Sequence, residues 1–426
     1  MLIYSHTITP RLDYICKFIF QEQYGIAFSL TINSEEFKDH QGPKINYSDL
    51  VLEADALNLT NHSLLFEKNI QQQTIECFET NNYKAFFKTD NSDFPFDIFA
   101  ASFFLLSRYE EYLPHKKDMY GRYAHENSLA FREKFLQQPL INTWLLDFAE
   151  TLKRKFPDFS PALPNFEHIP TYDIDMAWSY KRKGIVRNVG GFIKAPSLER
   201  IAVLAGLKKD PFDSYEFLKA LHVEFKIKPV YFFLVATSGS KYDKNISPYN
   251  HSMWQLIKRH AKKYPIGVHP SWRSNEQKGL LLKEKKIIET AGDVIITKSR
   301  QHYIKFLLPD TFTDLINSGI TDEYSMGYGS INGFRASVAS SFYWYNLTSE
   351  TATQLRLHPF CFMDANSFYE QKQNATSSLD ELMYYYETCK KVNGQFITIF
   401  HNNFLGTDPL YAGWKEMYQT FISQAQ

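Results

Sequence analysis

From Thr171 onward, short runs rich in β-branched and aromatic residues alternate with longer helical segments, and this alternation narrows the fold more than any other feature of the chain. Parallel strands need a crossover between them, and a helix is the usual one. Segments 229–237, 266–269, 294–298 and 395–401 read as strands of one such sheet. Between them, Ser274 with Gln277 predicts the capped start of a helix ending at Ala291-Gly292, and Ser378 with Glu381 predicts another ending at Asn393-Gly394. Upstream, Pro157, Pro161, Pro164 and Pro170 interrupt any helix or central strand. The spacing therefore predicts a small α/β domain over 1–160 and a chemistry-bearing α/β domain over 161–426. In the first, 97–113 reads as a buried helix stopped by Pro114, with Arg108, Glu110 and Glu111 near its end as packing residues.

Hydrophobic residues make up 44% of the 426 and aromatic residues 16%, which excludes a disordered chain. Lys plus Arg (47) equal Asp plus Glu (47), so no whole-chain field draws the protein to nucleic acid or an anionic membrane, and neither is an expected partner. Cys16, Cys77, Cys361 and Cys389 are scattered without metal-finger spacing, and the first residues lack the pattern of a signal peptide. The expectation is a soluble, cytoplasmic protein.

Five segments carry candidate chemistry. Thr171-Tyr172-Asp173-Ile174-Asp175 follows the prolines. Residues two apart on a strand share a face, so Asp173 and Asp175 point into one cleft, about 7 Å apart at their Cα atoms. Two carboxylates set together suit a site where one ligates a metal and the other takes a proton from water. His269 ends segment 266–269, at the edge where open α/β sheets put ligands. His302, in Ser299-Arg300-Gln301-His302-Tyr303, follows the next strand and by itself reads as part of a surface turn. Arg335, in Gly333-Phe334-Arg335-Ala336, is a cation able to hold an aspartate by a bidentate pair. His401 ends the last strand, where an imidazole can donate a proton to a leaving group. His358, ahead of Pro359, reads as structural.

In this order the segments resemble the motifs of the polysaccharide deacetylase (NodB-like, carbohydrate esterase) family. The first resembles its Thr-aromatic-Asp-Asp-Gly run in an Asp-x-Asp variant, 269–273 its histidine motif, 333–336 its arginine motif, and 397–401 its terminal Leu-x-x-His motif. The resemblance covers about 165–405, and 1–160 is similar to an accessory domain that precedes such catalytic domains, including its Ser-Arg-Tyr-Glu-Glu-Tyr stretch at 107–112. It implies a distorted, incomplete (β/α) barrel and a divalent metal, Zn²⁺, used to remove acetyl groups from an acetylated sugar or polysaccharide. Asp173 is then the base, Asp175 and His269 are metal ligands, Arg335 holds the aspartate, and His401 is the general acid. Tyr172, Ser271, Trp272 and Tyr328 are expected to contact the carbohydrate substrate.

The chain departs from the family at Arg273, which stands where a second metal-binding histidine is usual, and at Ala336 and Ser337, which replace the aromatic residue and the proline of its arginine motif. A guanidinium cannot ligate, so Ser271, His302 and His358 are the candidates for a third ligand. His302 is favoured, because adjacent parallel strands about 4.8 Å apart can present it beside His269. The competing readings are a metal-dependent amidohydrolase acting on a small non-sugar amide and a catalytically inactive carbohydrate-binding protein. A glycosidase fits poorly, since its two carboxylates must flank the scissile bond.

Overall fold

The computed structural model describes residues 1–194 and 196–425. The N-terminal part begins with β1 (Leu2–Tyr4), β2 (Ser29–Thr31), β3 (Lys44–Asn46) and β4 (Leu57–Asn58), a four-stranded parallel sheet in the order β2-β1-β3-β4. A hairpin of β5 (Phe78–Thr80) and β6 (Tyr83–Ala85) follows. The helix expected over 97–113 is shorter, Ile98–Leu106, and buried along its whole length. Asp97 caps it by accepting from the Phe99 and Ala100 amides. Arg108, at φ 54°, ends the helical path, and a single 3₁₀ turn, Tyr109–Tyr112, replaces the rest.

The second sheet positions the site. Its strands are β7 (Glu167–Ile174), β8 (Val230–Leu234), β9 (Ile266–His269), β10 (Lys298–Ser299), β11 (Asp322–Glu323), β12 (Phe342–Asn346), β13 (Thr351–Leu357), β14 (Phe362–Met363) and β15 (Gln395–His401). They run in the order β12-β13-β11-β10-β9-β8-β7-β15-β14, every neighbouring pair parallel except β12 with β13. The class predicted by the alternation, mixed α/β with parallel strands, is the one present. β12 and β14 stand at the edges, and among the described residues no ladder joins them into a closed barrel. Every residue of β8 (VYFFL) is buried, as helices covering both faces of a parallel sheet require.

Two helix starts differ from expectation. The helix Leu280–Gly292 begins after Gly279, at φ 83°, because residues 272–275 form a 3₁₀ turn in which the Ser274 hydroxyl donates to the Ser271 carbonyl instead of capping a helix. The helix Ala375–Lys391 starts one turn earlier than predicted, capped by Asn374, with Ser378 buried inside it. Of segment 294–298 only Lys298 joins a ladder, together with Ser299.

Side chains from before residue 160 pack directly on the second sheet. Tyr14 donates to the Tyr343 carbonyl at 2.7 Å, the buried Arg11 pairs with Glu350, and Asn142 donates to Ser340 at 2.8 Å.

Candidate active site and metal centre

Parallel register gathers the site at the C-terminal edge of the strands. Asp173 on β7 is the direct partner of His401 on β15 and of Phe232 on β8, while His269 ends β9 opposite Leu234. His302 follows β10 in the turn His302–Ile304. Asp175 lies just beyond β7. One ligand atom from each of Asp175, His269 and His302 falls within 4.8 Å of the others. Gly267 is needed in this packing: a Cβ there would meet the Phe232 ring at 2.6 Å and the Lys298 carbonyl at 2.7 Å.

The neighbours of the two histidines decide which nitrogen faces the cleft. The Arg300 carbonyl lies 2.5 Å from His269 Nδ1 and can only accept, so Nδ1 carries the proton and Nε2 offers its lone pair. That Nε2 faces Asp175 Oδ1 at 3.2 Å. His302 Nδ1 likewise donates to Asp243 at 3.0 Å, which aims Nε2 at Asp175 Oδ2, 3.4 Å away. Asp243 is itself held by the Trp272 amide at 2.9 Å and the Ser240 hydroxyl at 2.8 Å. Asp175 Oδ1 is buried without a hydrogen-bond donor. The converging lone pairs of Asp175 and the two Nε2 atoms are reconciled by a proton or by a metal ion between them, and two imidazoles with a carboxylate suit a divalent metal.

Burial works against the charge of Asp175, but His302, His269 and His401 outweigh it and hold the carboxyl well below the usual carboxylate range. Burial likewise disfavours a charged His302, yet Asp175 and Asp243 push it up to about 9. The same carboxylates thus favour a proton on the imidazoles beside them, so a metal ion binds here by displacing the Nε2 proton of His302.

Asp173 stands beside this group, its Oδ2 3.8 Å from His269 Nε2. Its Oδ1 accepts from Arg300 Nη1 at 2.9 Å. Arg300 is wholly buried, donates also to Thr171 at 2.6 Å and to the Tyr324 carbonyl at 3.0 Å, and lies 4.5 Å over the Phe232 ring. The arginine that holds the aspartate is therefore Arg300 and not Arg335. The Arg335 guanidinium is committed to Glu111, with contacts of 2.8 and 2.6 Å, and to the Gly327 carbonyl.

Across the cleft, His401 Nε2 lies 3.7 Å from Asp175 Oδ2. Asp364 accepts from both the backbone amide and Nδ1 of His401, each at 2.6 Å. Burial lowers the basicity of His401, but Asp364, Asp175 and Asp173 outweigh this and push it up to about 10, so it keeps its proton at neutral pH.

The cleft has a volume of about 570 Å³ and an aromatic rim that includes Tyr120, Tyr242, Tyr303, Tyr369 and Tyr411. Tyr120 and Arg122 reach it from the N-terminal part, where Arg122 donates to the Tyr303 carbonyl at 2.7 Å. Of the four residues expected to touch sugar, none lines the cleft. Tyr172 points to the opposite face of β7, because neighbours on a strand alternate, and its hydroxyl meets His222 and Tyr418. Tyr328 is buried beside Arg108, Ser271 is buried with its amide on Glu284, and Trp272 stacks on Tyr242 at 3.9 Å, behind the rim. His358 is bound to Asp322 and Ser341, away from the cleft.

Sequence reading missed the positioning residues Arg300, Asp243 and Asp364. Asp364 had a signal, a carboxylate just after the apolar run 360–363, whereas Asp243 lies in a polar loop with none. Their contribution is measurable by zinc titration of the metal-free protein. Asp243→Ala is expected to weaken affinity by about 10–100-fold, the usual cost of freeing a ligand from its orienting partner. His302→Ala should weaken it further, and unchanged affinity in either variant would remove that residue from the centre.

Residues 1–157 match the model of a family described as a family of unknown function, DUF7033. No curated protein matches the chain. Among solved structures, a polysaccharide deacetylase from Bacillus cereus is 10% identical over 61% of this chain and 87% of its own, with a TM-score of 0.32. A Mycobacterium smegmatis protein assigned as a polysaccharide deacetylase is 12% identical over 61% and 84%, with a TM-score of 0.39. A carbohydrate esterase family 4 pseudoenzyme from Bacillus anthracis is 10% identical over 61% and 62%, with a TM-score of 0.29. At such distance the chemistry rests on the side chains of this site alone. Among the described residues, no helix is long and apolar enough to cross a membrane.

Proposed function

We propose that this protein is a metal-dependent hydrolase that removes acetyl groups from an acetylated sugar, with Zn²⁺ held by Asp175, His269 and His302. The observation that carries this reading is the convergence of Asp175 Oδ1 and Oδ2 with the two Nε2 atoms, whose tautomers are set by their partners. When bound, such a cation supplies a Lewis acid and lowers the pKa of water at the site to about 7. Asp173, oriented by Arg300, accepts the proton of the attacking water. His401, oriented and kept charged by Asp364, donates its Nε2 proton to the departing amine or hydroxyl as the tetrahedral adduct collapses. The tyrosine rim offers flat apolar faces with hydroxyl donors, which suits the alternating CH and OH surfaces of a sugar ring.

The test is acetate release from N-acetylglucosamine oligomers and from O-acetylated sugars, with chelator-treated protein as control. Release that disappears on metal removal and returns with Zn²⁺ supports the reading. Stoichiometric zinc with no acetate from any sugar would overturn it. His401→Ala should slow acetamide substrates by about 10²-fold or more and aryl acetates far less, because an activated leaving group needs little protonation. Equal losses on both would leave His401 without an acid role.

A further inference from the structure

Between β7 and β8 the chain makes an excursion that the catalytic reading does not use. Its two ends meet on one buried carboxylate: Asp210 accepts from the backbone amides of Ser179 at 2.7 Å, of Tyr180 and Lys181 at 2.9 Å, and of Phe212 at 3.1 Å. Outward from this clamp run the helices Ile185–Lys194 and Leu198–Leu204. A helix of a globular protein turns its apolar stripe toward a core. Here Val203 alone among the described large aliphatic residues of the two helices is buried, and the others face out: Ile193 is 75% exposed and Leu198 85%, with Val189, Ile201 and Leu204 also exposed, and Leu207 just beyond them is 81% exposed. Leu198, Ile201 and Leu204 recur at helical spacing, so they form one face and not scattered surface residues.

The charge of the excursion is equally one-sided. Residues 181–209 contain eight Lys or Arg and a single acidic residue, Glu199, in a chain whose totals balance at 47 and 47. Whole-chain neutrality therefore conceals a strongly basic segment. Exposed apolar side chains set among cations are the composition of helices that lie in the headgroup layer of an anionic bilayer, where the apolar face enters the acyl boundary and the cations meet lipid phosphates. An apolar protein partner would account for the leucines and not for the charge.

We propose that the 181–209 excursion docks this protein onto the surface of an anionic lipid bilayer. Neither helix is long enough to span the hydrocarbon core, so the excursion lies in the plane of the interface. Because it springs from the strand end that carries Asp175, docking holds the catalytic edge of the sheet near the membrane. The inference stands apart from the hydrolase reading, since binding is measured without turnover.

The experiment is flotation of the full chain with vesicles of phosphatidylcholine alone and of phosphatidylcholine mixed with phosphatidylglycerol. Association is expected with the anionic vesicles only, and it should weaken as salt rises. Arg182→Gln with Lys208→Gln, both exposed cations, should weaken it about 25-fold, at roughly fivefold per cation. Ile193→Ser with Leu198→Ser and Leu207→Ser should abolish it while leaving zinc affinity unchanged. The proposal is overturned if the wild-type chain ignores anionic vesicles, if neutral vesicles bind equally, or if the triple variant binds as well as wild type. It is also overturned if the exposed face proves to drive self-association in place of vesicle binding.

Discussion

Asp173→Asn is expected to lower kcat by about 10²-fold or more while zinc affinity stays close to that of wild type. The amide keeps the shape of the carboxylate and can still accept from Arg300 Nη1, so the local packing survives. It cannot take up a proton, and that is the function assigned to Asp173. The proposed ligand atoms belong to Asp175, His269 and His302, and for that reason metal binding should be spared. Single-turnover kinetics with zinc-saturated protein separates the outcomes. A kcat within a few-fold of wild type would show that another group accepts the proton, and a parallel loss of zinc would place Asp173 among the ligands.

The second large effect concerns stability. Glu111 is buried between two guanidinium groups, accepting from Arg335 Nε and Nη2 and from Arg108 Nε at 2.8 Å. Burial opposes its charge, but Arg335 and Arg108 outweigh that and hold its carboxyl at about 2. Glu111→Gln would leave two buried cations facing a neutral amide, a change that costs about 3–5 kcal/mol. A depressed carboxyl contributes its stability above the unfolded-state pKa of about 4.3 and loses it as pH falls toward the folded value. Wild type should therefore exceed the variant most at neutral pH, and the gap should close between about pH 4.3 and pH 2. Urea midpoints measured across that window check this. A gap under about 1 kcal/mol at pH 7, or one that does not change with pH, would mean that the cations find other partners.

Glu111 also shows how the reading of 97–113 as packing understated this segment. It ties the N-terminal part to Arg335, the residue that motif order had assigned to the catalytic aspartate. Arg300 does that work from a stretch that looked like a surface turn. In a parallel sheet the residue beside Asp173 is set by which strands are neighbours, and β10 with its following turn is brought near β7 only by packing through β9 and β8.

What the sequence determined by itself are features of short range. The βα alternation set the class, the period of two put Asp173 and Asp175 on one face, and strand ends marked His269 and His401, because backbone geometry acts over a few residues. The same period already turned Tyr172 away from Asp173. Only the tertiary structure decided the partners: Arg300 for Asp173, Asp243 for His302, Asp364 for His401 and Glu111 for Arg335. Each of these pairs joins segments far apart in the chain, and a buried charge takes the partner that packing brings within reach, whatever its distance in sequence.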